Sequence, residues 1–122
     1  MPPTTTRVLL VEDEVMIRMM VADMIEELGH AVTAEADDVG RATELAQTGL
    51  FDLAILDVNL NGKLSFPAAE ILVERRTPLI FASGYAANSF PAAFRSTPRV
   101  QKPSQIETLS RAIAAAREGV RH

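Results

Sequence analysis

Residues 8–14 read VLLVEDE: an apolar run, Val8–Val11, that stops on Glu12, Asp13 and Glu14. The run is continuous rather than alternating. A strand with that pattern is buried on both faces, as in a parallel sheet covered by helices. Nearly continuous runs recur at 51–56 and 79–82, and weaker ones stand at 31–34 and 99–101.

Helix-like stretches separate these runs. From Glu14 to Leu28, the residues Ile17, Met20, Val21, Met24 and Leu28 keep i, i+3, i+4 spacing, and Gly29 stops the helix. Asp37 or Asp38 can cap a second helix that runs to about Gln47 and ends at Gly49. Ser65 can cap a third, with Pro67 in its first turn, reaching about Arg75. The stretch 87–96 is the weakest, because Pro91 lies in its middle. A short or mobile fourth helix is expected there. Ser104 and Glu107 have capping-box spacing for a last helix that buries Ile106, Leu109 and Ile113.

Five strand–helix alternations predict an α/β fold, a parallel sheet with helices on both faces. Right-handed crossovers leave few topologies. Ligands of such sheets bind beyond the carboxyl ends of the strands, at a switch point. With 122 residues, the chain suits one domain, 1–122, with a core from about 6 to 119. Its 48% hydrophobic and 23% charged residues are those of an ordinary globular protein. The net charge of -4 argues against nucleic acid as a partner, and the lack of cysteine excludes disulfides and thiolate metal sites. No apolar run approaches the ~20 residues of a membrane span. The opening MPPTTTR has no signal-peptide core, so a cytoplasmic location is expected.

The polar residues at the predicted strand ends carry the chemistry. The first strand ends on Glu12 and Asp13, the third on Asp57, the fourth on Ser83 and the fifth on Lys102. Carboxylates brought together repel, and burial raises their pKa values. A divalent cation removes the conflict, and oxygen-only ligands suit Mg²⁺. Lys102 adds a compact positive charge for an anionic group, and Ser83 a hydroxyl donor. Together these make a site for a phosphoryl group, with Asp57 as its nucleophile.

In this order, each at a strand end, the motifs resemble the response-regulator receiver domain of two-component signalling, the CheY-like family. The likeness runs from Val8 to about Gly119. PLIFASGY, residues 78–85, is further similar to a receiver subgroup whose fourth strand reads roughly PFxFATGY. The resemblance implies a doubly wound, flavodoxin-like sheet of strand order 2-1-3-4-5. It implies that Asp57 accepts a phosphoryl group from a histidine kinase or phosphotransfer protein. Mg²⁺ would be held by Asp13, Asp57 and the backbone carbonyl of Asn59, with Glu12 acting through metal-bound water. Lys102 would pair with the phosphoryl oxygens, and Ser83 would shift to report them. The Lys102–Pro103 bond is often cis in the family. Phosphorylation would add about -1.5 to -2 charge and bias the region around Ser83 and Tyr85.

Many receivers carry an aromatic switch residue three positions before the lysine, where this chain has Arg99. Tyr85 is expected to take over part of that role and to shield the phosphoryl group. The chain is expected to be a stand-alone receiver, monomeric or weakly dimeric. It would signal by binding an unknown downstream protein or drain phosphoryl groups as a sink or shuttle. It would catalyse only its own phosphorylation and dephosphorylation. An alternative is a Mg²⁺-dependent aspartyl-phosphate hydrolase of small esters. Such enzymes place a proton-donating Asp two residues after the nucleophile, where this chain has Asn59. His30 and His122 read as inert, and Met16, Met19, Met20 and Met24 as core and helix surface and not as a partner groove.

Overall fold

The computed structural model describes residues 5–83, 90–102 and 105–119, with side chains to Arg117 in the last helix. Five parallel strands form the sheet: β1 (Arg7–Val11), β2 (Ala31–Ala36), β3 (Leu53–Asp57), β6 (Leu79–Ser83) and β7 (Arg99–Gln101). Their order is β2-β1-β3-β6-β7, the expected 2-1-3-4-5 with a small extra ribbon inserted. That ribbon is an antiparallel pair, β4 (Asn59–Leu60) and β5 (Lys63–Leu64). Four α-helices are described: α1 (Val15–Glu27), α2 (Val39–Thr48), α3 (Phe66–Glu74) and α4 (Ile106–Gly119).

The strand periodicity explains why the apolar runs are continuous. Leu9, Val11, Ala54, Leu56, Leu79 and Phe81 pack on one face against Ala42 and Ala46 of α2 and Ala69 and Leu72 of α3. Val8, Leu10, Leu53, Ile55, Ile80 and Ala82 point the other way, toward Val21 and Ile25 of α1 and Leu109 and Ile113 of α4. The three central strands, β1, β3 and β6, therefore need apolar residues at odd and even positions alike. The first face also holds an aromatic group: Phe81 meets Phe90 and Phe94 edge-on, with ring centroids 5.2 and 5.5 Å away, and Phe66 stacks on Phe94.

Helix ends follow the sequence in part. Asp38 caps α2 by accepting from the Arg41 amide at 2.7 Å, and Gly29, at φ 90°, follows the end of α1. Ser65 does stand at the N-cap of α3, but its side chain caps nothing. Its ψ of 5° departs from the extended geometry that aims a cap oxygen at the next turn. The hydroxyl is buried and has no hydrogen-bond partner among the described residues. In the weak stretch, Pro91 opens a single 3₁₀ turn, Ala92–Phe94, where its missing N–H costs nothing. Ile106 is half-buried, whereas Leu109 and Ile113 are buried. Positions 87–89 and Ser104, with its expected cap, lie outside the described residues. Among the described residues no helix is long and apolar enough to cross a membrane.

Candidate functional site

The sheet register brings the predicted residues to one edge. Val11 pairs with Leu56, Asp57 with Ala82, and Ser83 with Gln101. Glu12, Asp57, Ser83 and Lys102 therefore leave four strands at nearly the same level. The Glu12 amide donates to the Ala36 carbonyl at 3.0 Å, which extends the β1–β2 pairing to the site. Ser83 is buried, and Glu12 and Asp57 are only 3% and 5% exposed, far below what free carboxylates tolerate.

Lys102 is the counter-charge. Its Nζ lies 2.8 Å from Asp57 Oδ2 and 3.0 Å from Glu12 Oε1, so one ammonium bridges two carboxyl groups. Asp57 Oδ1 accepts from the Asn59 amide at 3.3 Å, and Glu12 Oε2 from the Glu14 amide at 3.1 Å. Asp13 is half-buried, and its Oδ2 accepts from the Asn61 amide at 3.0 Å. One carboxyl oxygen from each of Glu12, Asp13 and Asp57 lies within 4.8 Å of the others.

This crowding shows in the protonation behaviour. Burial pushes the Glu12 carboxyl up to about 7, against the pull of the Glu14 amide and Lys102. For Asp13, burial works upward, but hydrogen bonds from Glu12 and the Asn61 amide outweigh it and hold the group below its ordinary value. Burial also opposes the charge on Lys102, and the hydrogen bonds to Asp57 and Glu12 win, so its pKa rises. Two carboxyl groups thus pair with one ammonium, and a third stands beside them in a mostly buried pocket. Hard oxygen donors at this spacing fit a divalent cation of the Mg²⁺ type, whose charge would offset the crowding of the carboxylates.

Glu12, Asp13, Asp57, Lys102 and the Asn59 amide are brought together by these contacts, and the strand register places Ser83 at the same edge of the sheet. Tyr85 and the Lys102–Pro103 bond lie outside the described residues. Arg99, at the expected aromatic position, places its guanidinium 5.2 Å from the Phe90 ring centroid and donates to the Arg95 carbonyl at 2.9 Å. Two contributors escaped the sequence reading. Arg18 donates to the Glu12 carbonyl at 2.8 Å while paired with Glu35 at 2.9 Å. The Asn61 amide reaches Asp13 from the β4–β5 turn, and Asn61-Gly62 is itself a strong hairpin signal.

A doubly wound sheet with acids from two strands and a lysine from a third at its carboxyl edge defines the class. The chain belongs to the response-regulator receiver domain family, whose model matches residues 8–114. Members serve two-component signalling as modules typically phosphorylated on aspartate, and they bind Mg²⁺ in an acidic pocket.

More particularly, the chain is 34% identical over 114 residues to the transcriptional regulatory protein PdtaR of Mycobacterium tuberculosis. The match takes in 90% of this chain but 56% of that protein, so the chain spans little more than half of this relative's length. The solved structure of SdrG from Sphingomonas melonis Fr1 superposes with a TM-score of 0.81 at 40% identity, covering 92% of this chain and 96% of SdrG. The receiver domain of Erythrobacter litoralis PhyR gives 0.79 at 31% identity, covering 92% of this chain and 89% of that domain.

Proposed function

We propose that residues 1–122 act as a single-domain response regulator in the cytoplasm, with Asp57 as the phosphoacceptor. The carrying observation is the Lys102 ammonium lodged between Asp57 and Glu12, beside three carboxyl oxygens within 4.8 Å of one another. Glu12, Asp13, Asp57 and the Asn59 carbonyl would hold Mg²⁺, which would supply positive charge to the phosphoryl oxygens and the acceptor. An Asp57 oxygen attacks phosphorus as the P–N bond to a donor histidine breaks, and the electron pair leaves with the imidazole nitrogen. Lys102 neutralises charge on the transferred group, the demand that phosphoryl transfer makes of a site. Ser83, at the end of β6, donates to the bound phosphoryl group. The likeness of 78–85 to the PFxFATGY subgroup belongs to this reading.

The donor is a histidine kinase or phosphotransfer protein. Against the expectation that the methionines form no partner surface, Val15, Met16, Met19 and Met20 of α1 are exposed apolar residues just past Asp13, and this reading assigns them to contact with the donor. Output is phosphorylation-dependent contact with another protein, or drainage of phosphoryl groups from the kinase.

Transfer from a panel of autophosphorylated histidine kinases tests the reading. Label should move to this chain from at least one kinase, and only with Mg²⁺ present. Steady turnover of small phosphate esters in place of transfer would favour the hydrolase alternative. Comparing partners captured by the phosphorylated and unphosphorylated chain separates effector from sink.

A further inference from the structure

The β4–β5 ribbon sits where β3 passes into α3, and it is bonded to both acidic strand ends. Its two-residue turn, Asn61 at φ 53° and Gly62 at φ 86°, lies between the paired residues Leu60 and Lys63. Both turn residues are left-handed, the geometry that matches the twist of a tight hairpin. The Gly62 amide donates to Asn59 Oδ1 at 2.7 Å, and the Asn59 amide donates to Asp57 Oδ1 at 3.3 Å. The Asn61 amide donates to Asp13 Oδ2 at 3.0 Å. The ribbon therefore ties the end of β3 to the end of β1.

We propose that this hairpin is a positioning device for Mg²⁺: the Asn61 amide holds one oxygen of Asp13 and fixes the rotation of its carboxylate toward Glu12 and Asp57. The inference rests on the metal-dependent reading above and assigns a role to residues outside the acidic cluster. Asp13 needs such help more than its neighbours. Glu12 and Asp57 are buried and pinned by Lys102, whereas Asp13 is half-exposed and makes no ion pair with Lys102. A carboxylate already held in the ligating rotamer loses less freedom when the ion arrives. Outer partners that orient a ligand commonly govern metal affinity. The main-chain donor is available only while the turn keeps its left-handed geometry, so Gly62 is a positioning residue as well. A Cβ at Gly62 meets nothing within 4 Å, so a substitution there acts through backbone strain and not through a clash.

The test is Mg²⁺ titration of the full chain, followed by amide chemical shifts near Asp13, with phosphoryl uptake from a small phosphodonor measured alongside. Wild type should bind Mg²⁺ and Asp13→Asn should bind it far more weakly. Gly62→Val should weaken binding by roughly tenfold, and Gly62→Ala should do so by less. Asn61→Gly, which keeps both the N–H and the left-handed backbone, should bind like wild type. Uptake by Gly62→Val should return to the wild-type rate at saturating Mg²⁺. Unchanged Mg²⁺ affinity in Gly62→Val, beside a wild type that binds, overturns this inference alone. So does an uptake defect that persists at saturating Mg²⁺. A wild type that binds no Mg²⁺ overturns the functional reading, and this inference with it.

Discussion

Two ion pairs stand at opposite ends of the same sheet and behave differently. At the amino end, Arg7 opens β1 and pairs with Asp52, just before β3, at 3.2 Å with side chains 50% and 39% exposed. At the carboxyl end, Lys102 pairs with Asp57 at 2.8 Å, and Asp57 is almost fully enclosed. The first pair also uses backbone: the Arg7 amide donates to Asp52 Oδ2, and the Asp52 amide to the Arg7 carbonyl, both at 2.8 Å. It knits two strand starts together in water, where charge is screened and each partner is expendable. The second is one edge of a cluster with more acid than base, under conditions where an unpaired charge is costly. Stability alone would not collect three carboxyl groups there. The difference separates a structural contact from a site held ready for further charge.

The largest expected effect lies at the carboxyl end. Lys102→Ala should slow phosphoryl uptake from a small phosphodonor by roughly a hundredfold at saturating Mg²⁺, the scale of losing a preorganised charge at a transition state. Uptake within threefold of wild type would erase the functional half of the contrast.

A pH effect comes next, with opposite signs at the two ends. Burial raises the Glu12 carboxyl to about 7 in the folded chain, so without Mg²⁺ the folded state keeps a proton that the unfolded state releases in the ordinary glutamate range. That contribution to stability is complete below the ordinary range and is lost as pH rises through about 7. Urea unfolding in Mg²⁺-free buffer should show the decline in wild type and a flatter profile in Glu12→Gln. Equal slopes in the two proteins would contradict the assignment.

Asp52 runs the other way and is the smallest effect. Its hydrogen bond from Arg7 holds the carboxyl below its ordinary value, so its contribution is present above that value and is lost as pH falls through the lowered one. Asp52→Asn should barely move the unfolding midpoint near neutrality, and added salt should shrink the difference further. A large loss would mean that the exposed pair carries more of the fold than its setting allows.

Much of this was legible because burial on two faces leaves a plain mark in a sequence. Val8–Val11 and Leu79–Ala82 are continuous because alternate residues enter different cores. Glu12, Asp13, Asp57, Ser83 and Lys102 were readable because each ends such a run. The ribbon was harder: strands of two residues are too short to show alternation, so its Asn-Gly turn is its one mark in the sequence. Ser65 shows the limit of capping rules, since residue type favours a cap but backbone angles decide whether the hydroxyl reaches an amide. Arg18 looks like any polar residue on a helix, and only the approach of Glu35 and the end of β1 gives it its contacts. Arg99 marked a departure from the family pattern; where it would rest, over Phe90, depended on a tertiary contact.

The most direct test of the central claim is intact mass after incubation with a small phosphodonor, with Mg²⁺ or with a chelator, for wild type and Asp57→Asn. Wild type should gain one phosphoryl group in Mg²⁺ alone, and Asp57→Asn none in either condition. Equal gain by the two proteins, or gain by wild type in the chelator, would contradict the account.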